Sequence, residues 1–122
     1  MIKFSPVNYD KLPEPYCLDS SLNGYIGYDM ANSEQECGFS VFRVNGYTME
    51  ILEIVTDADD ETVEGFIRSS LNYGANRGAY IAYFKASSGK NVAENLGFKN
   101  NGDNVPEGEI PELLAGHCCK NK

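Results

Sequence analysis

The sequence predicts an α+β domain: a mixed sheet in which an antiparallel meander joins a βαβ unit, with two main helices. Three observations predict it. Asn45-Gly46 separates two runs rich in strand-forming residues, 37–44 and 47–55. Asn-Gly in that position is the strongest short hairpin signal, because a type I′ turn needs positive φ at both central residues. Next, Val63, Phe66, Ile67 and Leu71 fall at i, i+3, i+4 and i+8 with Ser70 on the same stripe, the spacing of an amphipathic helix over 62–76. A short apolar run, 79–84, follows that helix. Strand, helix and strand with short joints make a crossover unit, which is nearly always right-handed.

In chain order, residues 2–7 read as a first strand, stopped by Pro6 and Asn8. Pro13 and Pro15 exclude a long regular helix from 9–20, leaving a single turn over 9–12. Tyr25, Ile26, Tyr28 and Met30 mark a strand over 24–31, and 32–35 is a polar connection. Phe39, Val41, Phe42 and Val44 carry the next strand, so 24–55 forms a three-stranded meander. An acidic turn at 57–61 leads into the helix, where Asp59 or Asp60 can cap the first turn and Gly78 can serve as its stop. Beyond Phe84, Ser87-Ser88-Gly89 breaks the chain before a short helix, Lys90–Leu96, that Gly97 ends. Residues 99–109 are loop by composition. Pro111 opens a small helix over 111–115, and the terminus reads as frayed. The expectation is one domain over 1–122, with 100–122 a loop and short-helix tail.

At 122 residues the chain can build a core without staples. Ten basic against eighteen acidic side chains give a net charge of −8. That charge argues against nucleic acid and anionic membrane, whose binders cluster Lys and Arg. No apolar run approaches the roughly 20 residues of a membrane span, and the N-terminus lacks a signal-peptide core, so a cytoplasmic protein is expected. The four cysteines, Cys17, Cys37, Cys118 and Cys119, then read as free thiols. His117 beside Cys118 and Cys119 invites a metal reading, but adjacent cysteines lack the spacing of zinc ligands, and no metal site is expected. The tyrosines read mainly as core or sheet face, with Tyr25 and Tyr28 on opposite faces.

The order of elements, with Glu50-Ile51-Leu52-Glu53-Ile54-Val55-Thr56, the helix 62–76, Asn76-Arg77-Gly78-Ala79 and Leu96-Gly97-Phe98, resembles the GNAT superfamily of N-acetyltransferases over residues 24–98. The resemblance implies an acyl-CoA-dependent N-acyltransferase-like protein with acetyl-CoA as cofactor. It implies that the fourth and fifth strands splay and admit the pantetheine arm. Ile54, Val55 and Thr56 would line that gap with 80–84, and Thr62, Val63 and Asn91 would complete the cofactor set. Glu53 would be the catalytic carboxylate. Glu50 is the other acid on the strand, and the odd interval between them predicts opposite faces. Solvation of Glu50 and edge capping by Glu53 are the structural readings of the same residues.

Several positions depart from the family pattern. Where the family has a glycine-rich pyrophosphate loop, this chain has Asp57-Ala58-Asp59-Asp60-Glu61, with no glycine before Gly65 and no basic residue. A carboxylate about 4 Å from a phosphate charge costs about 1 kcal/mol in water and about 4 near a protein surface. Ala93 stands where the family places a proton-donating Tyr, leaving Tyr80 and Tyr83 as nearby hydroxyls. The family's first two helices must compress into 8–23, and its last two strands have no counterpart expected after residue 100. The alternative is therefore a catalytically inactive GNAT-like binding or assembly module. The partner implied is a small amine or a protein, and a homodimer is left open.

Overall fold

The predicted hairpin is present with its turn shifted by one residue. Strand β3 (Gln35–Asn45) pairs antiparallel with β4 (Thr48–Thr56), and Asn45 faces Thr48. Gly46 and Tyr47 are thus the central residues, and of the two only Gly46 has positive φ, 68°. That is the pattern of a type II′ turn, which needs glycine at its first central position only.

The structure, a computed structural model, describes residues 1–100, 102 and 104–119, with side chains through Ala115. The remaining strands are β1 (Ile2–Asn8), β2 (Asn23–Asp29), β5 (Ile81–Phe84), β6 (Lys99–Asn100) and β7 (Pro106–Glu109). The helices are α1 (Asp60–Ala75), α2 (Lys90–Leu96) and α3 (Ile110–Cys119). One mixed sheet runs β1-β2-β3-β4-β5-β7-β6, in which β4 and β5 are the parallel pair joined by α1. The α+β class and the meander-plus-crossover architecture follow the sequence reading.

Two differences lie beyond residue 98. The stretch that composition reads as loop contains β6 and β7, and β7 pairs antiparallel with β5 at Ile81↔Glu109. Pro106 opens β7, a position where the missing N–H is tolerated. Edge pairing of this kind is a property of the free rim of β5, not of local apolar periodicity. The final helix also runs from Ile110 through Cys119, longer than 111–115, and the rest of the expected frayed end, 120–122, lies outside the described residues. The side chains of His117, Cys118 and Cys119 lie outside the described residues.

Helix α1 forms as its spacing predicts. Phe66, Ile67, Ser70 and Leu71 are fully buried, while Val63 is partly buried at the edge of the same core. Asp59 is the cap: its carboxylate accepts the Thr62 N–H at 3.1 Å. Phe42, Met49, Ile51, Ile54, Phe84 and Phe98 complete the main core with residues from all three helices. Gly65 and Gly27 lack side chains where the Phe4 and Phe66 rings approach, and those rings meet edge to face at 4.8 Å. The opposite face of the sheet carries a smaller cluster, Leu12, Leu22 and Val41, under the segment 9–22. That segment contains two single 3-10 turns, Tyr9–Lys11 and Tyr16–Leu18, in place of regular helices.

Candidate functional site

The parallel β4–β5 ladder runs from Thr48↔Ile81 to Ile51↔Phe84, and its last main-chain bond is Lys85 N–H to the Ile51 carbonyl at 2.8 Å. Strand β4 continues to Thr56 while the chain beyond β5 turns toward α2. Here side chains replace the ladder. Ser88 Oγ donates to the Ile54 carbonyl at 2.8 Å. Glu53 Oε1 accepts the Ile54 N–H at 3.2 Å, the Ser87 Oγ–H at 3.2 Å and the Ser87 N–H at 3.4 Å. The amide and the carbonyl of Ile54 are both engaged by the protein's own side chains.

A β-bulge sets the direction of Glu53. The register steps from Ile51↔Phe42 to Glu53↔Val41, so one extra residue is inserted in β4. Glu50 faces Arg43, and Val41 lies two residues from Arg43 on a strand with period two. Glu50 and Glu53 therefore share the face opposite α1, which corrects the opposite-face expectation. The inserted residue reverses the parity that an uninterrupted strand would impose. Glu50 is clamped by Lys85 Nζ at 2.6 Å and by Arg43 Nη2 at 3.2 Å, and these bonds hold its carboxyl below the ordinary carboxylate range. Arg43 also reaches Ser21 Oγ at 3.2 Å. Sequence reasoning missed this clamp. The cross-strand pairing of Arg43 with Glu50 becomes legible only once the hairpin register is fixed.

The other predicted residues are dispersed. Ile54 is a core side chain, whereas Val55 is 44% exposed. Thr56 Oγ1 donates to the Cys37 carbonyl at 2.7 Å and accepts the Ala58 N–H at 3.1 Å. Thr62 is buried at the cap, its Oγ1–H donating to Asp59 Oδ1 at 2.9 Å. Those bonds hold the Asp59 carboxyl below its ordinary value. Val63 packs at the core edge, and Asn91 is exposed on α2. Ala93 is fully buried. Tyr80 sits before the opposite end of β5, stacked on Tyr47 with centroids 5.4 Å apart, and its hydroxyl donates to Glu109. Tyr83 lies beside Glu50 and Lys85 in an open cleft of 220 Å³. Tyr25 packs against Phe42 and Tyr73 on the α1 side. Among the described residues no group of three His, Cys, Asp or Glu side chains converges as a metal-ligand set.

At the start of α1, Asp59 takes the Thr62 N–H, and Asp60 and Glu61 fill the first turn. An open cleft of 590 Å³ beside it is lined by Asp29, Asp59 and Glu61 together with Ile2, Phe4 and Thr62. A helix N-terminus favours anions through its free N–H groups and its dipole. Here carboxylates already supply both the acceptor and the negative charge.

Comparison with solved structures places this arrangement of strands and helices. The whole chain superposes on the whole of a chain in the KacTA–DNA complex, with TM-score 0.63 at 10% identity. The chain has the GNAT fold. The same fold is seen in the spermidine/spermine N-acetyltransferase SpeG from Vibrio cholerae, TM-score 0.64 at 10% identity over 95% of this chain and 99% of that one. Tetrahymena GCN5 shares it over 88% of this chain and 96% of its own, with TM-score 0.53 and 10% identity. No family model matches the sequence, and no curated protein matches it. At this identity the GNAT likeness is one of fold, and the function of the site is a separate question.

Proposed function

We propose that this chain is a GNAT-fold binding module that does not turn over acyl-CoA. The observation that carries the reading is the Asp59 cap on the Thr62 N–H, within a loop that also carries Asp57, Asp60 and Glu61. Asp59 takes one N–H of the first turn and its acidic neighbours make the rim negative, so a nucleotide diphosphate is disfavoured there. Buried Ala93 supports the same reading, because it supplies no proton to a departing thiolate. The partner is a cationic one, a small amine or the basic surface of a protein, in keeping with the net charge of −8. SpeG is an amine acetyltransferase by name. The KacTA neighbour is in a complex with DNA, whereas the acidity of this chain weighs against a nucleic-acid partner. The setting we propose is the cytoplasm. No helix among the described residues is long and apolar enough to cross a membrane.

A second reading, an acyl-CoA-dependent N-acyltransferase with Glu53 as its base, draws on one observation. The β4–β5 ladder ends at Ile51 and Phe84, and Glu53 lies next to that end. Isothermal titration with acetyl-CoA and with CoA separates the two readings. The module predicts no saturable heat and no thermal stabilisation at millimolar ligand. A Kd below about 100 μM, on the order of −5.5 kcal/mol, would favour the acyltransferase reading instead.

A further inference from the structure

Ile54 has the backbone amide and carbonyl of a strand residue turned toward the segment beyond β5, and both are met by side chains. Ser88 supplies a donor to the carbonyl at 2.8 Å, and Glu53 supplies an acceptor to the amide at 3.2 Å. Glu53 is itself held by Ser87, through the hydroxyl at 3.2 Å and the backbone N–H at 3.4 Å. One donor and one acceptor presented side by side are what an amide group of an extended ligand would offer to a strand edge.

We propose that Ser87, Ser88 and Glu53 form an internal latch that occupies the β4 edge beyond Ile51 in place of the amide-bearing arm of a thioester cofactor. This inference rests on the reading that the chain does not use acyl-CoA, but it adds a different obstacle. The acidic start of α1 repels the diphosphate, whereas the latch excludes the neutral amide arm. Ser87 and Ser88 are solvent-exposed, so the latch can be altered without opening the core. Ser88 is one of two consecutive serines ahead of the αL residue Gly89, φ 81°, which turns the chain into α2. The Lys85 N–H bond to Ile51 fixes the other end of the linker. The short segment between these anchors keeps both hydroxyls against β4.

The test uses pantetheine, which carries the amide arm without the diphosphate, alongside CoA. The variants are Glu53→Ala and Ser88→Ala, singly and together, with Glu53→Gln and Ser88→Thr as conservative partners that keep an acceptor and a hydroxyl. Circular dichroism and thermal melts establish that each variant folds. Hydrogen exchange reads the latch directly, without any ligand. Glu53→Ala is expected to speed exchange of the Ile54 amide at least about tenfold, since its acceptor is gone, and Glu53→Gln is expected to retain most of the protection. In titration, wild type and the conservative variants are expected not to bind pantetheine. The double alanine variant is expected to gain saturable binding, and CoA is expected to bind neither protein. Unchanged Ile54 exchange in Glu53→Ala, or no gain of pantetheine binding in a folded double variant, overturns the latch. Pantetheine binding to wild type also overturns it, while leaving the exclusion of CoA by the acidic loop intact. Binding of CoA to wild type overturns the proposed function itself.

Discussion

Glu50 and Glu53 direct their carboxylates to the same face of the sheet although an odd interval separates them on β4. The bulge opposite Val41 and Phe42 makes this so. The two acids nevertheless have different duties. Glu50 is neutralised by Lys85 and Arg43, and Glu53 is satisfied by Ser87 and the Ile54 amide. Each therefore has its own set of hydrogen-bond partners on that face.

The Glu50–Lys85 pair is half-exposed, with side-chain exposures of 25% and 42%. A double-mutant cycle with Glu50→Ala and Lys85→Ala should give a coupling energy below about 1 kcal/mol that shrinks in high salt. Because the folded carboxyl of Glu50 lies below its ordinary value of 4.5, its contribution is present above that pH. It is lost as pH falls through the folded value. Urea midpoints of the four proteins across that range measure it.

The Asp59 cap gives a second acid-labile contribution. Its bonds to Thr62 lower the carboxyl below 3.8 in the folded protein. Asp59→Ala should lower the urea midpoint near pH 7, and the gap to wild type should narrow as pH falls below 3.8. Asp59→Asn, still a good cap, should retain most of the midpoint while losing that pH dependence.

Ser40 and Ser70 are both fully buried, with their hydroxyl oxygens 3.1 Å apart. Ser70 spends its one proton on the Phe66 carbonyl at 2.8 Å, so Ser40 is the donor between them. Ser70→Ala should therefore destabilise by roughly 1–3 kcal/mol, because it strands the Ser40 hydroxyl. Ser40→Ala should be milder, and the double variant should recover part of the Ser70→Ala loss. Chemical denaturation of the three variants checks the order.

Two buried glycines should respond differently to alanine. A Cβ at Gly24 would strike the Ser40 main-chain carbonyl, which the β2–β3 pairing fixes in place. A Cβ at Gly74 would meet the Met49 Sδ, the far part of a flexible side chain. Gly24→Ala should cost at least about 3 kcal/mol, whereas the overpacking in Gly74→Ala is offset by up to about 1 kcal/mol of helix propensity. Thermal or urea unfolding of the two variants tests the ranking, which fails if Gly74→Ala is the more damaging.

The features legible in the residues alone are local and periodic. The stripe Phe66, Ile67, Ser70 and Leu71 faces the core because helical geometry brings those positions together. Asp59 caps α1 because a short acidic side chain before Thr62 meets its free N–H. The stop at Gly97 and the hairpin near Gly46 belong to the same class, since each is a backbone preference of a few neighbouring residues. Features that depend on pairing between distant segments emerge with the assembled sheet. The bulge that turns Glu53, the recruitment of β7 to the free edge of β5, and the reach of Ser88 to Ile54 join residues far apart in the chain. No local period encodes such matches, because they are set by which strand edges remain unpaired once the core has closed.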